Sequence, residues 1–261
     1  MSVIKHVSSR DNPFFKSLQK LSTNSRARRE AGQTLLDGPH LLRAFLDAGG
    51  KPLHLLVNQQ ALQDAEIVEL LGTCADVAQT QLDDALFAQL SELKTPNGLL
   101  SLISIPQPIV PATHSQFALL LEDIQDPGNL GSILRSAAAA GCDAVFLSQG
   151  CADAWSPKVL RAGMGGHFEL HIHEAADLLN IAHEFTGKIL AASLQANKSL
   201  YECSLRGKLA FAIGNEGAGL SPTLLDAAQE SFTIPMPGKV ESLNAAAATA
   251  VCLFEAVRQR R

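Results

Sequence analysis

The strongest constraint on this chain is the rhythm of its second half. Phe117–Leu121, Ala144–Leu147, Lys188–Ala192, Leu209–Ile213 and Phe232–Pro235 are short, predominantly apolar runs. Strands covered on both faces read this way, because neither face can be polar. Between them lie segments with helical spacing: Leu130–Ala140, Ala175–Phe185, Pro222–Gln229 and Asn244–Arg258. Strand–helix–strand repetition with right-handed crossovers predicts an α/β fold with a doubly wound parallel sheet. Ligands in such sheets bind beyond the carboxyl ends of the strands. Two of the helical segments carry alanine runs, Ala137–Ala140 and Ala245–Ala248, which let a neighbouring element approach closely.

The first 105 residues are patterned differently. Pro13–Glu30 reads as an amphipathic helix, and His40–Ala48, Asp64–Leu71 and Leu82–Glu92 as further helices. Thr34–Leu36, Leu53–Val57 and Leu99–Ile105 read as short strands, giving a small α/β layer structure. Pro106–Thr113 (PQPIVPAT) has three prolines in six residues and makes a stiff, extended connector. The expected organisation is a domain over 1–105, a linker over 106–113 and a larger domain over 114–261.

Composition excludes several classes. The five cysteines, Cys74, Cys142, Cys151, Cys203 and Cys252, are odd in number and show no CxxC or Cys/His spacing. They read as free thiols of a reducing compartment, with no metal site. The N-terminus lacks the apolar core of a signal peptide, and the longest apolar stretch, near Ala245–Phe254, is too short to span a bilayer. The expectation is a cytoplasmic protein with no membrane partner. A net charge of −5 does not suggest a nucleic-acid binder, but phosphate recognition needs only a local basic face. Residues 5–29 hold Lys5, Arg10, Lys16, Lys20, Arg26, Arg28 and Arg29 against the single acid Asp11. That segment reads equally as an RNA-phosphate surface or as a solvated helix face, and Arg258, Arg260 and Arg261 form a second, smaller basic cluster.

Three loops could carry chemistry. Glu122–Gly131 follows an apolar run and opens a helix, with Asn129 placed to cap it and Arg135 about one and a half turns in. An arginine near the positive end of a helix dipole gains nothing from it; from position alone it reads first as an ordinary surface arginine, with an anionic partner such as RNA phosphate as the other reading. Gly214–Pro222 also follows an apolar run, and three glycines in six residues leave backbone N–H and C=O groups bare for a ligand. Ser221 then caps a helix with Pro222 at its first position. The loop is neither GxxxxGK[ST] nor GxGxxG. Ile234–Asn244 has two prolines and a glycine and places Ser242 and Asn244 at the start of the last helix. Taken singly, each loop also reads as a turn or a helix cap.

Read together and in order, DPGNLGSILRSAAAAG, IGNEGAGLS and IPMPGKVESLNAAAATA resemble the three motifs of the SpoU, or TrmH, family of RNA ribose 2′-O-methyltransferases. The intervening SPKVLRAGMGG fits as well. In the first domain SSRDNPFFKSLQKL and LLDGPHLL resemble, more loosely, the small RNA-substrate-binding domain attached to many members. The resemblance implies a parallel sheet carrying a deep C-terminal trefoil knot, a homodimer, and S-adenosylmethionine as methyl donor held by the second and third loops. By motif it implies catalytic roles for Asn129, Arg135, Glu216, Ser242 and Asn244. It also implies cofactor contacts at Gly214, Asn215, Gly217, Ile234, Met236, Leu243 and Asn244, with Leu194 beside the adenosine. RNA contacts fall to Lys5, Arg10, Lys16, Arg26, Arg28 and Arg29. Two departures stand out: Ala245-Ala246 replaces the usual Val-Ser, and RAGMG at Arg161–Gly165 replaces RASMG.

Methyl transfer is an in-line displacement in which the 2′-hydroxyl must be oriented and lose its proton. A guanidinium stays protonated at any ordinary pH, so Arg135 is expected to act through a substrate phosphate or by orienting the hydroxyl, and not as a free base. Two other readings stay open at this point. An NAD-linked oxidoreductase lacks its GxGxxG here, and a non-catalytic RNA-binding or assembly protein would not need the motif residues. Within the family reading, ribosomal RNA is the expected substrate and transfer RNA the alternative.

Overall fold

A computed structural model of the chain describes residues 5–93, 95–109 and 111–261. In chain order its elements begin β1 (Lys5–Val7), α1 (Pro13–Thr23), α2 (Ser25–Ala31), β2 (Gln33–Asp37), α3 (Pro39–Asp47), β3 (His54–Val57), α4 (Ala65–Thr73), β4 (Ala78–Leu82), α5 (Asp84–Leu90) and β5 (Leu99–Ser104). They continue with β6 (Phe117–Leu121), α6 (Pro127–Ala140), β7 (Ala144–Leu147), α7 (Pro157–Gly163), β8 (His171–His173), α8 (Leu178–Glu184), β9 (Lys188–Ala192), β10 (Leu209–Ile213), α9 (Pro222–Ala227), β11 (Glu230–Phe232) and α10 (Ala245–Arg260). These form two compact units, one made of the residues up to Pro106 with Trp155–Phe168, the other of Gln107–Ala154 with Glu169–Arg261. The linker read at 106–113 includes Val110, which lies outside the described residues.

The first unit is built on a five-stranded sheet in the order β1-β4-β3-β5-β2. β1 and β3 run parallel to β4, while β5 is antiparallel to both β3 and β2. Two of its strands escape sequence patterning: β1 has three residues, and β4 (AQTQL) is too polar to read as a strand, although Thr80 and Leu82 are buried. The long helix expected over Pro13–Glu30 is broken at Asn24. That residue is extended, and its side chain accepts from the Ala27 N–H at 3.0 Å, capping α2. Local capping outweighs continuation because Ser22, Thr23 and Asn24 all favour caps over helix interiors. α7 packs on β2, and the Thr34 hydroxyl donates to the Trp155 carbonyl at 2.7 Å.

The second unit is a six-stranded, wholly parallel sheet in the order β11-β9-β10-β6-β7-β8. The parallel arrangement is the one the apolar runs predict, while the three-residue β8 (HIH) lies outside those runs. β6 and β10 are neighbours far apart in sequence, and the winding changes direction there. The ends of these two strands therefore form the switch point at which such sheets open a crevice. Buried alanines, leucines and phenylalanines of β6, β7, β9 and β10 fill one core with α8 and α9. The alanine-rich helices α6 and α10 pack on one another. The last strand ends at Phe232 instead of reaching Pro235, since proline has no N–H for the ladder and the Thr233 N–H already bonds Lys198.

Candidate active site

Three loops emerge from the carboxyl ends of β6, β10 and β11. The first helix of the site, α6, is capped by Asp126, whose carboxylate accepts from the Asn129 N–H at 2.7 Å, with Pro127 at the first helical position. The sequence reading gave that cap to Asn129, and the structure corrects it. Asn129 sits three positions in, which frees its side chain to leave the helix. Its amide Nδ2 donates to Oε1 of Glu216 at 2.5 Å, joining the loop after β6 to the loop after β10. Arg135 lies on the exposed face of α6 and engages no partner among the described residues.

The loop after β10 is closed on itself. A Cβ at Gly214 would fall 2.2 Å from the Gly219 carbonyl carbon, so only glycine fits there. Gly219, at φ +71°, returns its N–H to the Asn215 carbonyl at 2.9 Å. The Asn215 side chain braces the interior: Oδ1 accepts from Gly217 N at 2.8 Å and Ala218 N at 3.2 Å, while Nδ2 donates to the Asp123 carbonyl at 3.0 Å. Glu122 adds a further tie, accepting from the Ser221 N–H at 2.6 Å. Ser221 caps α9 as expected, accepting from Leu224 N at 3.3 Å.

Between this loop, the end of β9 and the loop after β11 lies a cleft. Of the residues singled out from sequence, Leu194, Gly214, Asn215, Glu216, Gly217, Ile234, Met236, Ser242 and Leu243 line it. Asn129 and Arg135 do not, and the structure places them on α6, with Asn129 reaching Glu216. Asn244 caps α10, its Oδ1 accepting from Ala247 N at 2.7 Å, and is also outside the lining. The sequence reading missed Ser193, Gln195 and Thr233, which line the cleft as well. No motif marks them; only their position just past β9 and β11 would have pointed to them. Ala245, where the family usually has valine, is buried in the wall.

The cleft suits a ligand with an aromatic ring and positive charge. Ile213, Leu220, Phe232, Ile234 and Leu243 supply apolar walls, the glycines expose backbone groups, and Glu216 is the charged residue of the lining. Among the described residues no lysine or arginine lines it, so a cofactor phosphate would find no cationic side chain there, whereas a sulfonium would find the Glu216 carboxylate.

The basic residues lie in the first unit. Lys5, Arg10, Lys16, Arg26 and Arg29 are exposed. Lys16 pairs with Asp11 at 2.8 Å and Arg26 with Glu30 at 2.7 Å. Arg28 departs from its predicted role. It is buried, and its guanidinium donates to the Leu21 carbonyl at 2.6 Å, satisfying the end of α1 in place of a phosphate. All five cysteines are free, four of them buried. Burial pushes the Cys142 and Cys252 thiols far above their ordinary range, which leaves them inert. Among the described residues no group of His, Cys, Asp and Glu is placed to hold a metal, and no helix is long and apolar enough to cross a membrane.

Residues 116–254 match the profile of the SpoU rRNA methylase family, so the chain belongs to that family. Residues 2–101 match the MRM3-like substrate-binding domain. It is accordingly an S-adenosylmethionine-dependent RNA 2′-O-methyltransferase. An uncharacterized tRNA/rRNA methyltransferase of Synechocystis is 32% identical over 99% of this chain and 96% of its own length. The 23S rRNA (guanosine(2553)-2′-O)-methyltransferase RlmP of Bacillus subtilis is 29% identical, over 96% of this chain and 98% of its own. The SpoU methyltransferase AviRb of Streptomyces viridochromogenes, solved in complex with AdoMet, is 26% identical with a TM-score of 0.82, covering 95% of this chain and 98% of that one.

Proposed function

We propose that this enzyme methylates a ribose 2′-hydroxyl of ribosomal RNA, with the methyl donor in the cleft beyond β9, β10 and β11 and the reacting ribose beside Asn129, Glu216 and Arg135. The observation that carries this is the Asn129–Glu216 bond, which brings the first and second motifs together at the edge of a glycine-framed cleft. Relatives named as rRNA methyltransferases support ribosomal over transfer RNA. When bound, S-adenosylmethionine supplies an electrophilic methyl group on a sulfonium.

The chain's residues do the rest. Glu216 offers its second carboxylate oxygen to a ribose hydroxyl, because Asn129 occupies only Oε1. Asn129 fixes that carboxylate's direction. Arg135, permanently protonated, donates to a phosphate or to the 2′-oxygen and steadies negative charge as the proton leaves for a substrate phosphate or water. Asn244, with Oδ1 committed to the cap, keeps Nδ2 for the substrate, and Ser242 presents its hydroxyl to the cleft. Residues 1–105 form the RNA-gripping domain, 106–113 a linker and 114–261 the catalytic domain. The basic surface of Lys5, Arg10, Lys16, Arg26 and Arg29 meets phosphates. The enzyme works as a cytoplasmic homodimer and needs no metal.

The test is Arg135→Ala assayed for both steps. Cofactor affinity within about twofold of wild type, with methylation reduced roughly a hundredfold or more, supports the assignment. Normal turnover would end it.

A further inference from the structure

Asp123 is held in a conformation that an aspartate seldom adopts. Its φ is +57°, in the left-handed region, one residue past Glu122 in the loop after β6. The cost of that conformation is offset from outside the loop, by Ser148 at the end of β7. The Ser148 hydroxyl accepts from the Asp123 N–H at 2.9 Å and donates to Asp123 Oδ1 at 2.7 Å, so one side chain fixes both the backbone and the carboxylate. The turn that follows is shaped around this pair. A Cβ at Gly150 would lie 2.2 Å from Asp123 Oδ1, and the Ala152 N–H bonds the Ile124 carbonyl at 2.8 Å.

The consequence reaches the cleft. With φ set, the Asp123 carbonyl accepts Nδ2 of Asn215 at 3.0 Å, and Asn215 braces the glycine loop from inside through Gly217 and Ala218. Asn215 Nδ2 makes no other hydrogen bond among the described residues. If Asp123 relaxed to a negative φ, its carbonyl would swing away, and Asn215 would lose the contact that orients its carboxamide.

We propose that Ser148 and Asp123 form a latch that positions Asn215, and through it the glycine loop, for binding S-adenosylmethionine. Ser148 is a positioning residue: it acts through Asp123 and touches no reactant. The proposal rests on the reading that the cleft holds the methyl donor.

Glycine and alanine at Asp123 separate the latch from mere packing. Both remove the carboxylate, but only glycine adopts positive φ without strain. In the full-length protein, calorimetric titration with S-adenosylmethionine is expected to show Asp123→Ala and Ser148→Ala each weakened about tenfold, as the loss of one or two hydrogen bonds gives. Asp123→Gly should stay within about threefold of wild type, the freedom gained by glycine being the small remainder. If Ser148→Ala fails to fold, the two Asp123 variants alone decide the matter. Equal binding by Asp123→Ala and Asp123→Gly overturns the latch, as does a drop in melting temperature with unchanged cofactor affinity. Gly214→Ala serves as the control on the cleft itself. Its binding should be lost or severely weakened because the added Cβ meets backbone. If Gly214→Ala binds normally, the cleft assignment fails and the latch with it; if Gly214→Ala is weakened and both Asp123→Ala and Ser148→Ala are not, the latch fails alone.

Discussion

Replacing Asn129 with aspartate probes the bond that joins the two motifs, since it swaps a donor for a charge while keeping the shape. In the wild type, Nδ2 donates to the Glu216 carboxylate at 2.5 Å. A hydrogen bond to a charged acceptor contributes about 2 kcal/mol. Two carboxylates roughly 4 Å apart add a repulsion of about 1 kcal/mol where solvent screens them, as it does at the exposed Glu216. The combined loss, about 3 kcal/mol, predicts a fall of roughly a hundredfold in kcat/KM at pH 8. The deficit also has a pH signature. Two adjacent carboxylates share a proton at mildly acidic pH, because repulsion raises the affinity of the pair for the first proton. The protonated aspartate then becomes a donor again, so the ratio of variant to wild-type activity should rise as pH falls from 8 toward 5. Asn129→Ala, which lacks both donor and charge, should lose roughly thirtyfold with no such pH trend. Initial rates of methyl incorporation into RNA across that range measure both. Wild-type activity in the aspartate variant at pH 8, or identical pH profiles for the two variants, would refute the role given to this bond.

Three further outcomes follow from the geometry. Arg28→Ala should lower stability by about 2–4 kcal/mol, read by denaturant melts, because it strips a buried donor from the carbonyls ending α1; Arg29→Ala, exposed one residue on, should leave stability unchanged. Replacing Arg10, Arg26 and Arg29 together with glutamine should weaken RNA binding and flatten its dependence on log salt by up to about three, at constant cofactor affinity; an unchanged slope removes these residues from the interface. Glu255 is held down at about 2 by hydrogen bonds from Arg258 and Gln259. Its folded pKa lies below its ordinary 4.5, so its contribution is complete above that pH and lost as pH falls toward 2. The melting-temperature gap between wild type and Glu255→Gln should therefore be full at pH 7 and close by pH 2.

Much of the second unit was legible because burial on both faces leaves an unambiguous record. FALLL, AVFL, KILAA and LAFAI can hardly be anything but inner strands, and all appear in the parallel sheet. The cleft was legible for a related reason: glycines and prolines between such strands mark loops whose backbone is held in a special path. Gly214 illustrates it, since the closed loop leaves no room for a Cβ. What escaped the sequence depends on partners distant in the chain. AQTQL becomes β4 only because β1 and β3 flank it, and Arg28 is distinguished from Arg26 and Arg29 only by the carbonyls it meets. The cap of α6 fell to Asp126 instead of Asn129 because two good capping residues lie three apart and only Glu216, 87 residues away, decides between them. Trp155–Phe168 joins the first unit through Thr34 and β2, which no local pattern records.

The central claim is most directly tested by mapping 2′-O-methylation in total RNA by mass spectrometry, from cells with and without this protein. One ribose methylation in ribosomal RNA should disappear with the protein and return on re-expression, and should not return with Arg135→Ala. An unchanged methylation map of ribosomal RNA, or a loss confined to transfer RNA, would contradict the account.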